Sequence, residues 1–196
     1  MFLLTLAVLL KPTCSKFLCY CFLKMALSRK KVFVTVGTTK FDELIEIILS
    51  TEILEALSLK KYNELVLQIG KSTLIPDCTP RNGFIKIEYF NLNSNISEYV
   101  KAADLIISHA GAGSILDALE NKKDLIVVAN KSLMHNHQLE LAEQLCTDKH
   151  LYYSSCETLL NTIQIMDFSQ LKPYINNKSE HIAEFIDQIM GFSNKT

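Results

Sequence analysis

The sequence has little positive charge after its first 41 residues. Those residues contain seven Lys or Arg and no acid, and the rest contain 13 basic and 21 acidic side chains, a balance of −8. A nucleic-acid-binding surface needs clustered Lys and Arg to neutralise phosphates. The composition of the body therefore excludes binding to nucleic acid.

The sequence also lacks the spacings that build metal and redox sites. No two of its six cysteines form a C-x-x-C pair, and no H-E-x-x-H motif or acidic cluster for Mg²⁺ is present. Dispersed thiols are typical of a reducing compartment, where cysteine acts as a small apolar residue. We expect neither a metal ion nor a bound cofactor.

Two familiar nucleotide-binding patterns are missing as well. The Walker pattern G-x-x-x-x-G-K-[ST] does not occur, and in "GAGSIL" the third glycine of G-x-G-x-x-G is replaced by Leu116. A G-x-S-x-G nucleophile elbow is also absent. These absences argue against a P-loop nucleotidase, a nicotinamide enzyme and a serine hydrolase.

The leader, residues 1–30, has no apolar run that spans a bilayer unbroken. Its first run of ten apolar or neutral residues ends at Lys11-Pro12, about half of a membrane-spanning length. It also lacks the basic start and small-residue cleavage site of a signal peptide. Three interpretations stay open: an extension or alternative start before Met25, membrane association, and cleavage.

From Lys31 onward, apolar β-branched segments alternate with amphipathic ones. The pattern predicts an α/β domain over residues 31–170, with a Rossmann-like parallel sheet and helices on both faces. The predicted strands are 31–37, 63–70, 84–90, 104–111, 124–130 and 151–155, and the predicted helices are 41–57, 94–103, 113–123, 135–148 and 156–166. Residues 171–196 contain a further amphipathic helix through Ile182 and Ile189, which we expect to dock on a partner.

Three loops at the carboxyl ends of predicted strands carry small and polar residues. They are "GTTKFDE" (37–43), "SHAGAGS" (108–114) and "NKSLMHNHQ" (130–138). Ligands of open parallel sheets bind at this edge. The three loops together therefore predict a binding pocket.

The second of these loops leads directly into a helix. Gly111, Ala112, Gly113 and Ser114 place unpaired N–H groups and the positive end of a helix dipole where an anion can approach closely. Asp117 is expected in the first helical turn, where two roles stay open: accepting hydrogen bonds from ribose hydroxyls, or complementing the helix dipole.

The flanking residues are candidates for further contacts. His109 precedes the glycines, and three roles stay open for it: a hydrogen-bond donor to a diphosphate, a weak catalytic base or a structural residue. Asn136 and Gln138 carry amides that can bind sugar hydroxyls. Gly37, Thr38 and Thr39 form a second polar loop, whose N–H and hydroxyl groups could cradle an anion.

Four segments together resemble a known family. "VFVTVGTTKFDELI", "LVLQIGKS", "ADLIISHAGAGSILDALE" and "NHQLELAEQL" are similar to the catalytic subunits of the eukaryotic UDP-GlcNAc transferase of dolichol-linked oligosaccharide synthesis. These subunits correspond to the C-terminal, donor-binding half of GT-B enzymes in glycosyltransferase family 28. The resemblance runs from about Lys31 to the C-terminal helix.

The resemblance implies an inverting transfer of GlcNAc from UDP-GlcNAc to GlcNAc-diphosphodolichol. It implies a membrane-anchored, acceptor-binding partner subunit that forms the other GT-B half, and a location on the cytoplasmic face of the endoplasmic reticulum, with some protein in the cytosol. Two alternatives stay open: another half-GT-B transferase with a different diphospholipid acceptor, and a non-catalytic UDP-sugar-binding module.

The resemblance also implies residue roles. The segment from Gly111 to Ser114 would hold the UDP diphosphate, and Asp117 would bind the ribose in place of the Glu of many relatives. Asn136, His137 and Gln138 would contact the donor sugar, and Gly37 and Thr38 would face the cleft. The resemblance identifies no catalytic base in this chain, and a base supplied by the partner chain stays open.

Overall fold

The computed structural model describes residues 29–93, 95–130 and 136–175. The predictions for the leader before Arg29 and for the C-terminal helix beyond Ile175 lie outside these ranges. Over residues 136–139 only the backbone is described.

The core is a six-stranded parallel sheet in the order β3-β2-β1-β4-β5-β6. The four central strands are mainly runs of buried apolar residues because both faces of the sheet are covered, whereas the edge strand over Lys86–Phe90 is mostly exposed. Their bounds are β1 Lys30–Thr35, β2 Tyr62–Gln68, β3 Lys86–Phe90, β4 Leu105–His109, β5 Asp124–Ala129 and β6 Tyr152–Ser155. All six predicted strands are confirmed, with ends displaced by a few residues.

Six α-helices of the described residues cover the sheet, three on each face. The first face packs against α1 Asp42–Ile48, α2 Thr51–Leu59 and α6 Leu159–Ile165. The second face packs against α3 Ser97–Ala102, α4 Ala112–Glu120 and α5 Asn136–Thr147. Alternate residues of each strand supply the two cores: Val32 and Val34 of β1 point to the first and Phe33 to the second. The predicted fold class is therefore confirmed.

One predicted helix is in fact two. The apolar spacing over residues 41–57 predicts a continuous helix, but α1 ends at Ile48 and α2 begins at Thr51. Ser50 between them has extended backbone angles, and its hydroxyl accepts a hydrogen bond from the N–H of Ile53 at 3.4 Å. A serine in this position caps the second helix, so the chain turns there and both short helices bury their apolar sides.

None of the helices in the described ranges is long and apolar enough to cross a membrane.

Candidate functional site

The three polar loops of the sequence follow three adjacent strands. β1 lies between β2 and β4, and β4 lies between β1 and β5. The chain runs outward from β1 to β3 and then returns to the centre at β4. The boundary between β1 and β4 is thus the point where the strand order reverses, and ligands of open α/β sheets bind at such a point.

The N-terminus of α4 is open. Gly111 is its N-cap residue, so no N-cap side chain hydrogen-bonds to the first-turn N–H groups of this helix. Ile115 N–H donates to Gly111 O at 3.1 Å and so begins the helical hydrogen-bond ladder. Ala112 and Gly113 are exposed. First-turn N–H groups have no partner within a helix, so this end can receive an anion.

The glycines of this loop have different neighbours. A Cβ on Gly113 would meet no atom within 4 Å, so this position borders open space. A Cβ on Gly111 would lie 2.4 Å from Nε2 of His109, and one on Gly37, which has φ +59°, would lie 2.7 Å from Cε1 of the same ring. The imidazole of His109 therefore fills the side-chain space of two glycines, Gly111 in its own loop and Gly37 in the loop after β1.

His109 is half-buried between these loops. Its Nδ1 lies 3.4 Å from the carbonyl oxygen of Thr35. A carbonyl oxygen only accepts hydrogen bonds, so this contact favours the neutral tautomer with the proton on Nδ1 and the lone pair on Nε2. Burial lowers the pKa of His109, and the Thr35 carbonyl opposes that shift to a smaller extent. The ring is thus uncharged near neutral pH.

Much of the loop after β1 is held by its own hydrogen bonds. The N–H of Gly37 donates to Oγ1 of Thr35 at 3.0 Å. Both the N–H and the hydroxyl of Thr39 donate to Val36 O, at 3.2 and 2.7 Å. Thr38 remains exposed. These donors of Gly37 and Thr39 stabilise the turn around the exposed Thr38.

A second loop supports this turn from the side of β2. Gly70, with φ +60°, lies so close that a Cβ would be 2.2 Å from Thr39 O. The next residue, Lys71, donates its N–H to the same oxygen at 3.0 Å. The hydroxyl of Ser72 makes a short hydrogen bond to the carboxylate of Asp42 at the start of α1. The loops after β1 and β2 are therefore braced together.

Asp42 is a structural residue in this brace. Its carboxylate also pairs with Lys40 Nζ at 3.0 Å. The Ser72 hydrogen bond, with a smaller contribution from Lys40, lowers the pKa of Asp42 although partial burial opposes the shift. Asp42 and Glu43 occupy the first turn of α1, as the sequence predicts.

Asp117 lies one turn later than the sequence predicts. Because α4 begins at Ala112, the helix has no acidic residue in its first turn, and the expectation of a first-turn carboxylate is wrong. The side chain of Asp117 is exposed, and its backbone carbonyl accepts a hydrogen bond from Asn121. The interaction of a carboxylate with the helix dipole falls off after the first turn, so this role is weak for Asp117. Its other predicted role, contact with the ribose of a ligand beside α4, stays a prediction.

The predicted sugar-contact residues begin α5. Asn136, His137 and Gln138 form its first turn, and α5 follows β5, which is the neighbour of β4. The backbone thus brings this segment toward the edge where α4 begins. Within the described ranges, no group of three or more His, Cys, Asp or Glu forms a metal site.

The structure adds three residues that were not singled out in the sequence. Gln68, Thr35 and Ser108 end the apolar runs of β2, β1 and β4, and all three are buried. In the sequence, each of these three residues is the polar residue that directly follows three apolar residues of its strand. The meaning of this pattern depends on knowing that these strands are neighbours.

Comparisons with known proteins identify the family of this chain. Residues 31–190 match the glycosyltransferase family 28 C-terminal domain. The chain is 46% identical over 130 residues to the human UDP-N-acetylglucosamine transferase subunit ALG13, covering 66% of this chain and 11% of that protein. It is 32% identical over 183 residues to the Saccharomyces cerevisiae protein of the same name, covering 76% and 90%.

Solved structures show the same architecture. An NMR solution structure of ALG13 superposes with a TM-score of 0.60 at 26% identity, over 83% of this chain and 96% of that one. The MurG protein of Acinetobacter baumannii gives 0.54 at 15% identity, over 86% and 52%, which is a likeness of fold. The chain spans only about a tenth of the length of its human and mouse relatives, which have the same name. The match over residues 31–190 shows that this chain belongs to glycosyltransferase family 28, as a C-terminal domain of that family.

Proposed function

We propose that this chain is the donor-binding, catalytic subunit of a two-subunit N-acetylglucosaminyltransferase. It takes GlcNAc from UDP-GlcNAc and transfers it, with inversion, to GlcNAc-diphosphodolichol. The observation that carries this proposal is the open N-terminus of α4, with Ala112 and Gly113 exposed beside the β1–β4 boundary. The names of the relatives, UDP-N-acetylglucosamine transferase subunit, support the choice of donor.

In this proposal the diphosphate of UDP lies at the N-terminus of α4. The N–H groups of Ala112, Gly113 and Ser114 and the helix dipole stabilise the negative charge that develops on UDP as the glycosidic bond breaks. These groups are fixed before the reaction, so little reorganisation is needed at the transition state. The open space at Gly113 lets the phosphates come close to the backbone.

The remaining donor contacts surround that anchor. Asp117, exposed on α4, accepts hydrogen bonds from ribose hydroxyls. The segment Asn136 to Gln138 at the start of α5 binds the sugar, and Thr38 faces the cleft. His109, with its lone pair on Nε2, accepts a hydrogen bond from the donor, or takes up a proton when the diphosphate is bound.

The acceptor site and the catalytic base belong to a second chain in this proposal. A GT-B active site lies between two Rossmann-like halves, and the described residues form one six-stranded sheet of that kind. The word "subunit" in the names of the relatives supports a partner. We propose that this partner is membrane-anchored and holds the chain at the cytoplasmic face of the endoplasmic reticulum.

The test combines binding with transfer. The full 196-residue chain is titrated with UDP and UDP-GlcNAc, and transfer of labelled GlcNAc to GlcNAc-diphospho-phytanol is measured with and without the membrane partner. We expect UDP-GlcNAc to bind to the single chain and transfer to require both chains. Failure of the chain to bind UDP-GlcNAc contradicts the donor role, and full-rate transfer by the single chain contradicts the two-subunit arrangement.

Two matched variants locate the diphosphate. Gly113→Asp introduces a carboxylate at the N-terminus of α4 and should abolish UDP binding by charge repulsion. Thr51→Asp introduces the same group at the exposed N-terminus of α2, on the opposite face, and should leave UDP binding unchanged. Undiminished UDP binding by Gly113→Asp places the diphosphate elsewhere.

A further inference from the structure

Three buried polar side chains form one row across the sheet, directly below the loops of the donor site. Thr35 of β1 is the register partner of Gln68 on β2 and of Ser108 on β4. Their exposed fractions are 2%, 3% and 0%. The residues two positions earlier on these strands belong to the apolar core under α3, α4 and α5, so the row lies on the face that carries α4.

Thr35 is the centre of this row, and its hydroxyl makes two hydrogen bonds. It donates to Oε1 of Gln68 at 2.6 Å and accepts from the N–H of Gly37 at 3.0 Å. Valine has nearly the same shape and suits a buried parallel strand, whereas a buried hydroxyl is unfavourable unless it is hydrogen-bonded. The Gln68 oxygen can only accept, so it directs the hydroxyl hydrogen of Thr35 away from Gly37 and leaves a lone pair for the Gly37 N–H.

The row reaches the loop after β4 as well. The hydroxyl of Ser108 donates to the carbonyl oxygen of His109 at 2.8 Å, and the N–H of Gly111 donates to that oxygen at 2.8 Å. The carbonyl oxygen of Thr35 lies 3.4 Å from Nδ1 of His109. Thr35 thus contacts the turn after β1 through its side chain and the histidine before α4 through its backbone.

We propose that Thr35 is a positioning residue of the donor site. Its hydroxyl fixes the turn at Gly37, and this turn forms one wall of the space that holds His109 beside the N-terminus of α4. Thr35 acts through these neighbours, since it is buried and does not itself face a ligand. This inference rests on the proposed function of the same site.

The experiment compares three threonine variants of the full chain. Thr35→Val removes the hydroxyl and keeps the shape, and Thr35→Ser keeps the hydroxyl. Thr162→Val is the matched control, because Thr162 of α6 is also buried and its hydroxyl donates to Ser154 and to the Thr158 carbonyl on the opposite face of the sheet. The measurements are amide hydrogen exchange of Gly37 without ligand and the dissociation constant for UDP.

Thr35→Val removes both hydrogen bonds of the hydroxyl. We expect it to speed exchange at Gly37 and to weaken UDP binding about tenfold, the scale of the one hydrogen bond that holds the turn at Gly37. Thr35→Ser should stay within about twofold of wild type, and Thr162→Val should lower the melting temperature without changing the affinity for UDP. If Thr35→Val does not fold, Gln68→Met tests the same row, because it removes the acceptor of the Thr35 hydroxyl and should change both readouts in the same direction.

The outcomes separate this inference from the proposed function. Unchanged UDP affinity in Thr35→Val, or an equal loss of affinity in Thr162→Val, overturns the positioning role alone. Unchanged exchange at Gly37 overturns the claim that Thr35 holds the turn, whether or not UDP binds. Failure of the wild-type chain to bind UDP contradicts the donor site itself.

Discussion

The imidazole of His109 occupies the space that a side chain on Gly111 would need. A Cβ at Gly111 would lie 2.4 Å from Nε2 of His109, closer than such contacts occur in folded proteins. Gly37 closes the same ring from the neighbouring loop, with 2.7 Å between its missing Cβ and Cε1. The sequence analysis associates Gly111 and Gly37 with anion binding. The structure shows that the absence of a side chain at both positions also leaves room for the imidazole of His109.

This relationship predicts opposite effects for two alanine substitutions in one loop. Gly111→Ala should destabilise the fold by about 1–3 kcal/mol, because its methyl group overpacks a ring already enclosed by Gly37. Gly113→Ala should be neutral or stabilising by up to about 1 kcal/mol, since its Cβ meets open space and alanine favours a helix. Urea unfolding of both variants measures the difference.

UDP binding provides a second test of Gly113→Ala. If the diphosphate lies at the N-terminus of α4, Gly113→Ala should weaken UDP binding even though the fold is intact. A variant that is as stable as wild type and binds UDP equally well would show that Gly113 does not border the ligand.

His109 should be neutral at pH 7 in the ligand-free chain. Burial holds its pKa below the ordinary value of 6.5, and the Thr35 carbonyl selects the tautomer protonated on Nδ1. Because the folded pKa is lowered, the unfolded chain binds the proton more tightly, and this group's destabilising effect grows as pH falls below about 6.5.

Imidazole ¹⁵N shifts, followed through a pH titration, measure both the pKa and the tautomer. Binding of UDP should raise the pKa of His109 if the diphosphate is near the ring. A pKa above 6.5 in the free chain, or a ring protonated on Nε2 alone, is incompatible with the geometry described above.

Gly70→Ala should be more damaging than an ordinary surface substitution. The residue has φ +60°, and the added Cβ would lie 2.2 Å from the backbone oxygen of Thr39. We expect a loss of more than about 1 kcal/mol in the free energy of unfolding, because backbone and conformational strain add. Lys61→Gly is the matched control: Lys61 has φ 74°, so glycine should there be neutral or stabilising. Equal stability of Gly70→Ala and wild type would contradict the close contact between the two loops.

The Ser72 to Asp42 hydrogen bond should make stability depend on pH. Ser72→Ala removes the main cause of the lowered pKa of Asp42, so that pKa should rise toward 3.8. A carboxyl with a lowered folded pKa contributes stability above its unfolded pKa and loses it as pH falls through the folded value. The difference in unfolding free energy between wild type and Ser72→Ala should therefore be larger at pH 7 than at pH 3.

Lys40→Met is the comparison for this measurement. Lys40 contributes less than Ser72 to the lowered pKa of Asp42, so its removal should raise that pKa by less. A larger effect from Lys40→Met than from Ser72→Ala would show that the ion pair, not the hydroxyl, dominates.

The sequence by itself determined the alternation of strands and helices, the two-sided burial of the sheet and the beginning of a helix within residues 111–114. These features follow from local patterns: apolar runs of strand length, helical spacing and small residues ahead of a helix. The same patterns were insufficient at Ser50, where a cap divides a continuous apolar spacing, and at Asp117, where the helix begins earlier than expected.

Only the tertiary structure decided which loops meet. That β1 is the neighbour of β4 depends on packing between residues far apart in the chain, and nothing in "VFVT" or "LIISH" specifies it alone. Because β1 lies between β2 and β4, Thr35, Gln68 and Ser108 form one row, and His109 lies between Gly37 and Gly111. Close packing makes each residue's role depend on what lies across the sheet, and that information is not local.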